Sequence, residues 1–340
     1  MGRGSTADVG LPRSGPTLTG ALAVALAALA FGAVMIGPYG LAPGQVLAAL
    51  VGHGDPQAQI IVWNIRLPRV GAALLVGAAL AAAGASYQAL FRNPLVSPDI
   101  LGVSAGAGLG AVAGIFLSLP VAAIQGAAFA GGMAAVGAVM LVGAMVRNTD
   151  RTLTLVLVGV VIGALAGAAT SLLKVMADPY DQLPAITFWL LGSLASITTP
   201  DILPALPMVL IGLVPLILLR WRINVLSLGD EEARALGIEA GRTRFVVIAA
   251  ATLITASVTA LAGVVGWVGL VIPHIARMLV GPGFGRLLPA SALIGAGYLL
   301  IVDTLARTIA AVEVPLGVLT AVIGAPFFVW LLARGRRGWS

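Results

Sequence analysis

Apolar residues fill this chain in long blocks, and short breaks between the blocks hold most of its arginines, aspartates and prolines. A helix needs about 20 predominantly apolar residues to cross the hydrocarbon core of a bilayer. On that measure the pattern predicts spans at 17–37, 66–91, 99–118, 121–146, 152–176, 201–219, 244–264, 267–281, 286–308 and 314–334, the eighth being short. A further apolar piece, 185–197, lies between prolines and aspartates and is too short to cross, so it reads as a re-entrant or interfacial helix on the outer side. The expected fold is therefore all-α: a polytopic membrane protein of about ten transmembrane helices over 17–334, with tails at 1–16 and 335–340. The first apolar run follows a polar Gly/Ser-rich start and lacks a clear small-residue cleavage site, so it reads as a membrane helix and not a removed signal peptide.

Composition agrees with the pattern. Hydrophobic residues make up 59% and charged residues 9%, with mean hydropathy +1.06, whereas a soluble domain carries about 25% charged residues. The 44 glycines and abundant alanines suit close approach of membrane helices. There are no cysteines, which excludes disulfides, Cys-ligated zinc and Fe–S clusters. The two histidines, His53 and His274, are far apart and make no His-rich metal site, so no metal ligand set is expected. A net charge of +6 could point to nucleic acid, but the basic residues sit between apolar spans, where a topology signal explains them and no nucleic-acid partner is needed.

That signal is lopsided. With both termini in the cytoplasm and ten crossings, only four of the 19 basic residues, Arg66, Arg69, Arg307 and Lys174, fall outside. The interior set runs from Arg3, Arg13 and Arg92 through Arg147, Arg151, Arg220, Arg222, Arg234, Arg242, Arg244, Arg277 and Arg286 to Arg334, Arg336 and Arg337. Cytoplasmic loops of membrane proteins carry the excess of Arg and Lys, so the chain is expected in a bacterial or archaeal inner membrane in this orientation. The outer arginines have two readings: they receive an acidic partner, or they anchor at lipid headgroups with Arg307 paired to Asp303 four residues earlier. Tyr180, Trp189, Phe188 and Trp63 fall near the same interface, where aromatic belts form in any case.

The longest hydrophilic interior segment is 220–244, and within it 228–238 reads LGDEEARALGI. Asp230, Glu231 and Glu232 suit the positive end of a helix dipole, and Gly237 suits its C-terminal stop. A short amphipathic helix within 227–240, closed by glycines, is a candidate docking element for a cytoplasmic protein, against the plainer alternative of a loop helix.

Five segments carry a resemblance to a known family: RLPR at 66–69, NPLVSPDILGVSAGAGLG at 93–110, LGDEEARALGI at 228–238, GWVGLVIPHIAR at 266–277 and EVPLGVLTAVIGAPFFVWLL at 313–332. In this order and spacing the chain resembles the FecCD family, the permeases of ABC importers for ferric siderophores, haem and vitamin B12. The resemblance implies the type II permease fold, with two permease subunits, expected to be identical, around one pathway. It implies two cytoplasmic ATPase subunits, which hold the ATP and Mg, and an extracytoplasmic substrate-binding protein. It also implies that Gly229, Asp230, Glu231, Glu232, Arg234, Leu236 and Gly237 couple to the ATPases. Arg66, Arg69 and Arg307 match arginines that receive glutamates of the binding protein, and Asn93, Pro94 and Leu95 match a cytoplasmic gate. Segment 174–197 resembles the iron-chelate and molybdate-type branches more than the vitamin B12 members. The expected cargo is a ferric siderophore, with haem, a corrinoid or an oxyanion as rivals.

Other chemistries lack their residues. No GxxxxGK[ST] loop occurs and the only lysine is Lys174, so the chain does not bind ATP through a P-loop, and no cofactor is expected on it. No Ser-His-Asp set, paired-carboxylate site or HExxH occurs, which argues against an intramembrane hydrolase. The glycines of 102–110 lie inside an apolar span and read as helix packing. An ion-coupled secondary transporter should show several acidic groups at mid-membrane, and Asp303 alone is thin support. A structural ion pair of Asp303 with Arg307 near the outer surface is the preferred reading. His274 is expected as a polar contact near a helix end, and His53 as a solvated loop residue.

Overall fold

The computed structural model describes residues 16–146 and 151–334. The predicted tails, apart from Pro16, lie outside the described residues, as do Arg3, Arg13, Arg147, Arg336 and Arg337. Among the described residues every regular element is helical. The first part of the chain forms α1 (Pro16–Met35), α2 (Pro43–Leu50), α3 (Pro56–Ile60), α4 (Leu67–Leu90), α5 (Val103–Phe116), α6 (Val121–Met145), α7 (Arg151–Met176) and α8 (Gln182–Leu191). It continues as α9 (Thr199–Leu218), α10 (Arg220–Leu226), α11 (Asp230–Ala235), α12 (Ala240–Ala262), α13 (Val268–Val280), α14 (Phe284–Ala306) and α15 (Leu316–Arg334).

Each predicted span holds a helix, but the helices differ in length. Among the described residues seven are long and apolar enough to cross a membrane, while α5, α13 and the stretch Leu316–Leu331 of α15 are shorter. At 1.5 Å per residue the 13 residues of α13 reach only about 20 Å. The predicted span 99–118 loses its first turns to a 3-10 segment, Pro98–Leu101, and α5 begins only after Gly102, whose φ of +79° breaks the helix. In the other direction, α4 continues backwards through a π-helical stretch, Ile61–Arg66, so that one apolar helix runs from Pro56 to Leu90.

Two expectations about short elements are corrected. The outer helix expected at 185–197 is α8, which begins at Gln182 and ends at Leu191. Gly192 (φ +72°) turns the chain, and the Ser193 N–H then donates to the carbonyl of Ala262 at the end of α12, so 193–197 follows another course. The segment 220–244 contains an additional helix, α10, whose Ile223, Val225 and Leu226 are buried, and α12 starts at Ala240, four residues before the expected span.

Burial divides the helices into a core and a shell. About 78% of the apolar window is buried in both α4 and α12, against 11% in α1 and 22% in α7 and in α9. The core helices carry alanine, glycine and small polar residues on all sides, which allows neighbours to close in from every direction. Gly77 of α4 and Gly295 of α14 show the limit, because a β-carbon on either would collide with the backbone of the other. On the shell, large apolar side chains such as Leu157, Val160, Val161 and Leu165 of α7 are exposed. In water such a surface would aggregate; in a bilayer it meets lipid or another membrane helix.

Candidate functional site: an arginine cluster and a capped helix at opposite ends of the bundle

α4 and α14 pack side by side and run in opposite directions, so the start of α4 meets the end of α14. This junction gathers the three predicted arginines. Arg69, in the first turn of α4, donates from Nε to Asp303 Oδ1 at 2.8 Å, while Nη1 and Nη2 grip Glu313 at 2.9 and 2.6 Å. Asp303 is fully buried. Arg307 approaches the other oxygen of Asp303 at 3.7 Å and donates to the Ala33 carbonyl at 2.8 Å. Arg66 sits where the π-helical stretch ends, and its guanidinium donates to the carbonyls of Val34, Met35 and Tyr39 at 2.8, 3.1 and 2.6 Å.

The cluster thus holds three guanidiniums against two carboxylates, in a place where hydration is small. Arg66, Arg69 and Arg307 are 2%, 6% and 6% exposed. Bidentate pairing to carboxylates is the strong form of arginine contact, and carbonyl acceptors at the end of α1 and the loop after it compensate Arg66 without neutralising it. The i, i+4 pair of Asp303 and Arg307 is present, but Arg69 is the closer partner, 234 positions away in sequence. The sequence singled out Arg69 but not its pairing with Asp303, and it did not single out Glu313. Glu313 stands in the EVPLG segment, and its only local signal is a lone carboxylate just before an apolar block. It lies between α14 and α15, and its side chain is 27% exposed, the most open member of the network.

The second region lies at the far end of the bundle. α10 packs against α4 and α14, and its Asn224 Oδ1 accepts from the Phe284 N–H at the start of α14. α11 follows directly. Gly237 (φ +74°) donates to the Arg234 carbonyl and Ile238 to the Ala233 carbonyl, the paired bonds that end a helix on a left-handed glycine. Ala233 and Ile238 are buried and seat the helix, while Glu231, Glu232, Arg234 and Leu236 are exposed. Gly229 is buried and accepts from Ala233. Asp230 pairs with Arg244 of α12 at 2.9 Å, a contact that sequence reasoning did not assign. The face so presented alternates carboxylates, an arginine and two uncovered leucines, Leu228 and Leu236.

Asn93, Pro94 and Leu95 form a turn after α4. Arg92 is in the left-handed region (φ +50°), Asn93 Oδ1 accepts from the Leu95 N–H at 2.9 Å, and Leu95 is exposed. Nearby, Gln88 donates to the Leu270 carbonyl and accepts from Arg277, which ties this end of α4 to α13. His274 is half-buried, and its Nδ1 has no hydrogen-bond partner among the described residues. His53 is exposed, with Nδ1 3.0 Å from the Val51 carbonyl. Among the described residues no group of three or more His, Asp or Glu side chains is placed to hold a metal ion.

The model of the FecCD transport family matches residues 24–334. The chain is 38% identical to the molybdate import system permease protein MolB of Haemophilus influenzae, over 96% of this chain and 98% of that one. It is 44% identical to the cobalamin import system permease protein BtuC of Halobacterium salinarum (84% and 77% covered) and 43% identical to the Fe(3+) dicitrate transport system permease protein FecD of Escherichia coli (81% and 86%). A solved structure described as an inward-facing conformation of a metal-chelate type ABC transporter superimposes with a TM-score of 0.86 at 37% identity, covering 94% of this chain and all of that one. The chain therefore belongs to the FecCD transport family and is a membrane-spanning permease subunit of an ABC importer.

Proposed function

We propose that this permease imports a ferric siderophore, as a pair of identical subunits served by two cytoplasmic ATPases and an extracytoplasmic binding protein. The observation that carries this reading is the 43% identity, over 81–92% of this chain, to permeases named for iron chelates or iron citrate. In this reading α11 faces the cytoplasm. Glu231, Glu232, Arg234 and Leu236 contact the ATPase, and Gly229, Asp230 and Gly237 hold the helix for that contact. ATP-driven movement of α11 passes to the bundle through Asp230–Arg244 and the packed face of α10, and the pathway opens alternately to the two sides. The turn at Asn93, Pro94 and Leu95 narrows the exit. Both termini are cytoplasmic, and the uncovered apolar face of α7 supplies area for lipid or for the second subunit.

The arginine cluster faces the binding protein. Its excess of one positive charge favours an acidic partner, and Glu313 is the member exposed enough to exchange with a carboxylate from outside. Ion coupling gains no support from Asp303, which two arginines already hold. One second cargo has a specific observation behind it: the relative named for molybdate aligns over 96% of this chain.

The test is ATP-dependent uptake in proteoliposomes holding this chain, its ATPase and its binding protein, with labelled ferric siderophore, haem, cobalamin and molybdate offered in parallel. Siderophore uptake that needs both ATP and the binding protein is the expected result. Uptake of another cargo alone reassigns the substrate, and uptake that ignores ATP but follows a proton or sodium gradient overturns the mechanism.

A further inference from the structure

At the end of the bundle where α10 begins, residues of α9, α10 and α12 line an open cavity of about 420 Å³. It is lined by Pro215, Leu218 and Leu219 of α9 and its C-terminus, by Thr243 and Val246 of α12, and by two arginines from different elements, Arg222 and Arg242. Neither arginine has an ion pair or hydrogen bond to a side chain among the described residues, unlike Arg69, Arg244 and Arg307. Both are exposed, and Leu218 is 74% exposed. The cavity lies at the last turn of one apolar helix of spanning length and the first turns of another, and the ends of spanning helices are where hydrocarbon gives way to headgroups. Trp221, also exposed, stands beside Arg222, as aromatic side chains do at membrane interfaces.

We propose that this cavity binds an anionic glycerophospholipid, with an acyl chain along the apolar walls and the phosphate between Arg222 and Arg242. The charge pattern selects this occupant. Both guanidiniums line the one cavity and neither has an ion pair among the described residues, a donor set suited to a phosphodiester, and basic pockets between membrane helices take anionic headgroups. A soluble protein partner fits less well, because the cavity is lined by residues at the ends of two apolar helices of spanning length, and exposed carboxylates of this region, Glu231 and Glu232, are on α11. The bound lipid would brace the junction of α9 with α10, from which the ATPase-facing segment hangs. Only the assignment to the cytoplasmic leaflet rests on the proposed function; the site itself rests on the cavity.

Native mass spectrometry of the full chain released from detergent, titrated with phosphatidylglycerol, phosphatidylcholine or inorganic phosphate, tests the site. Phosphatidylglycerol should bind in preference to phosphatidylcholine. Arg222→Gln with Arg242→Gln should weaken phosphatidylglycerol about 30-fold, since each basic group near an anionic headgroup contributes about fivefold. Arg222→Lys with Arg242→Lys should keep most of the preference, and Leu218→Trp, which fills the groove at an exposed position, should lower lipid binding with both arginines intact. Equal binding of the two lipids, a preference that survives the Gln pair, or displacement of the lipid by millimolar inorganic phosphate overturns the proposal. Leaflet is decided separately: the chain has no cysteine, so Leu228→Cys can be labelled from either side of sealed vesicles. Labelling from outside alone would refute the orientation and leave the lipid site, then in the outer leaflet, to stand or fall on the titration.

Discussion

Asp303→Asn is the sharpest probe of the arginine cluster. Asparagine keeps the volume and an oxygen acceptor for Arg69, so the change removes charge and little else. The cluster then goes from one excess positive charge to two, inside a site where Asp303 has no exposure and the guanidiniums almost none. Two charges 4 Å apart at an effective dielectric constant near 20 interact by about 4 kcal/mol. Breaking a buried pair by removing one partner costs about 3–5 kcal/mol, so a loss of that order is expected. It should be read from reversible unfolding of the purified chain in mixed micelles. A double-mutant cycle locates the interaction: coupling of Asp303 to Arg69, whose contact is 2.8 Å, should exceed coupling to Arg307, whose contact is 3.7 Å. A loss below about 1 kcal/mol, the range of exposed pairs, would refute the claim that this network is buried and paired. Stronger coupling to Arg307 would refute the assignment of Arg69 as the main partner.

Three further outcomes are expected. Glu313→Gln should free one edge of Arg69 and tighten docking of the binding protein several-fold at low salt, with the gain shrinking as salt rises; unchanged or weaker docking in a binding titration would argue against Glu313 as the exchangeable member. Glu231→Lys with Arg234→Glu should cut uptake at least tenfold while the helical signal and unfolding midpoint of the permease stay near wild type, because both side chains are exposed; normal coupling of hydrolysis to uptake in proteoliposomes would remove α11 from the ATPase interface. Leu95→Trp, at an exposed turn position, should slow cargo exit with little effect on ATPase assembly, and wild-type transport in reconstituted vesicles would count against a gate there.

The sequence by itself determined the solvent, the helix positions and the short capped helix. Each rests on local physics: an apolar block of spanning length has no other stable home, and carboxylates in the first turn of α11 with Gly237 behind it specify a helix of known sign and end. Local reasoning went wrong where a helix end depends on a distant contact. α8 stops at Leu191 because the chain is drawn onto the end of α12, and α12 starts early, with Arg244 in its first turns reaching Asp230. The three arginines were legible as exceptions to the charge rule, and Asp303–Arg307 as a helical pair. Their assembly was not, because it depends on α4 and α14 lying antiparallel with Gly77 against Gly295, which brings Arg69 to Asp303 across 234 residues. Arg69 and Glu313 likewise meet only when the link between α14 and α15 folds back over the start of α4. The pairing of buried charges, and the gathering of Arg222 and Arg242 at one cavity, were decided by tertiary structure alone, because a charge finds its counter-ion through space, and the order of residues along a chain does not record that distance.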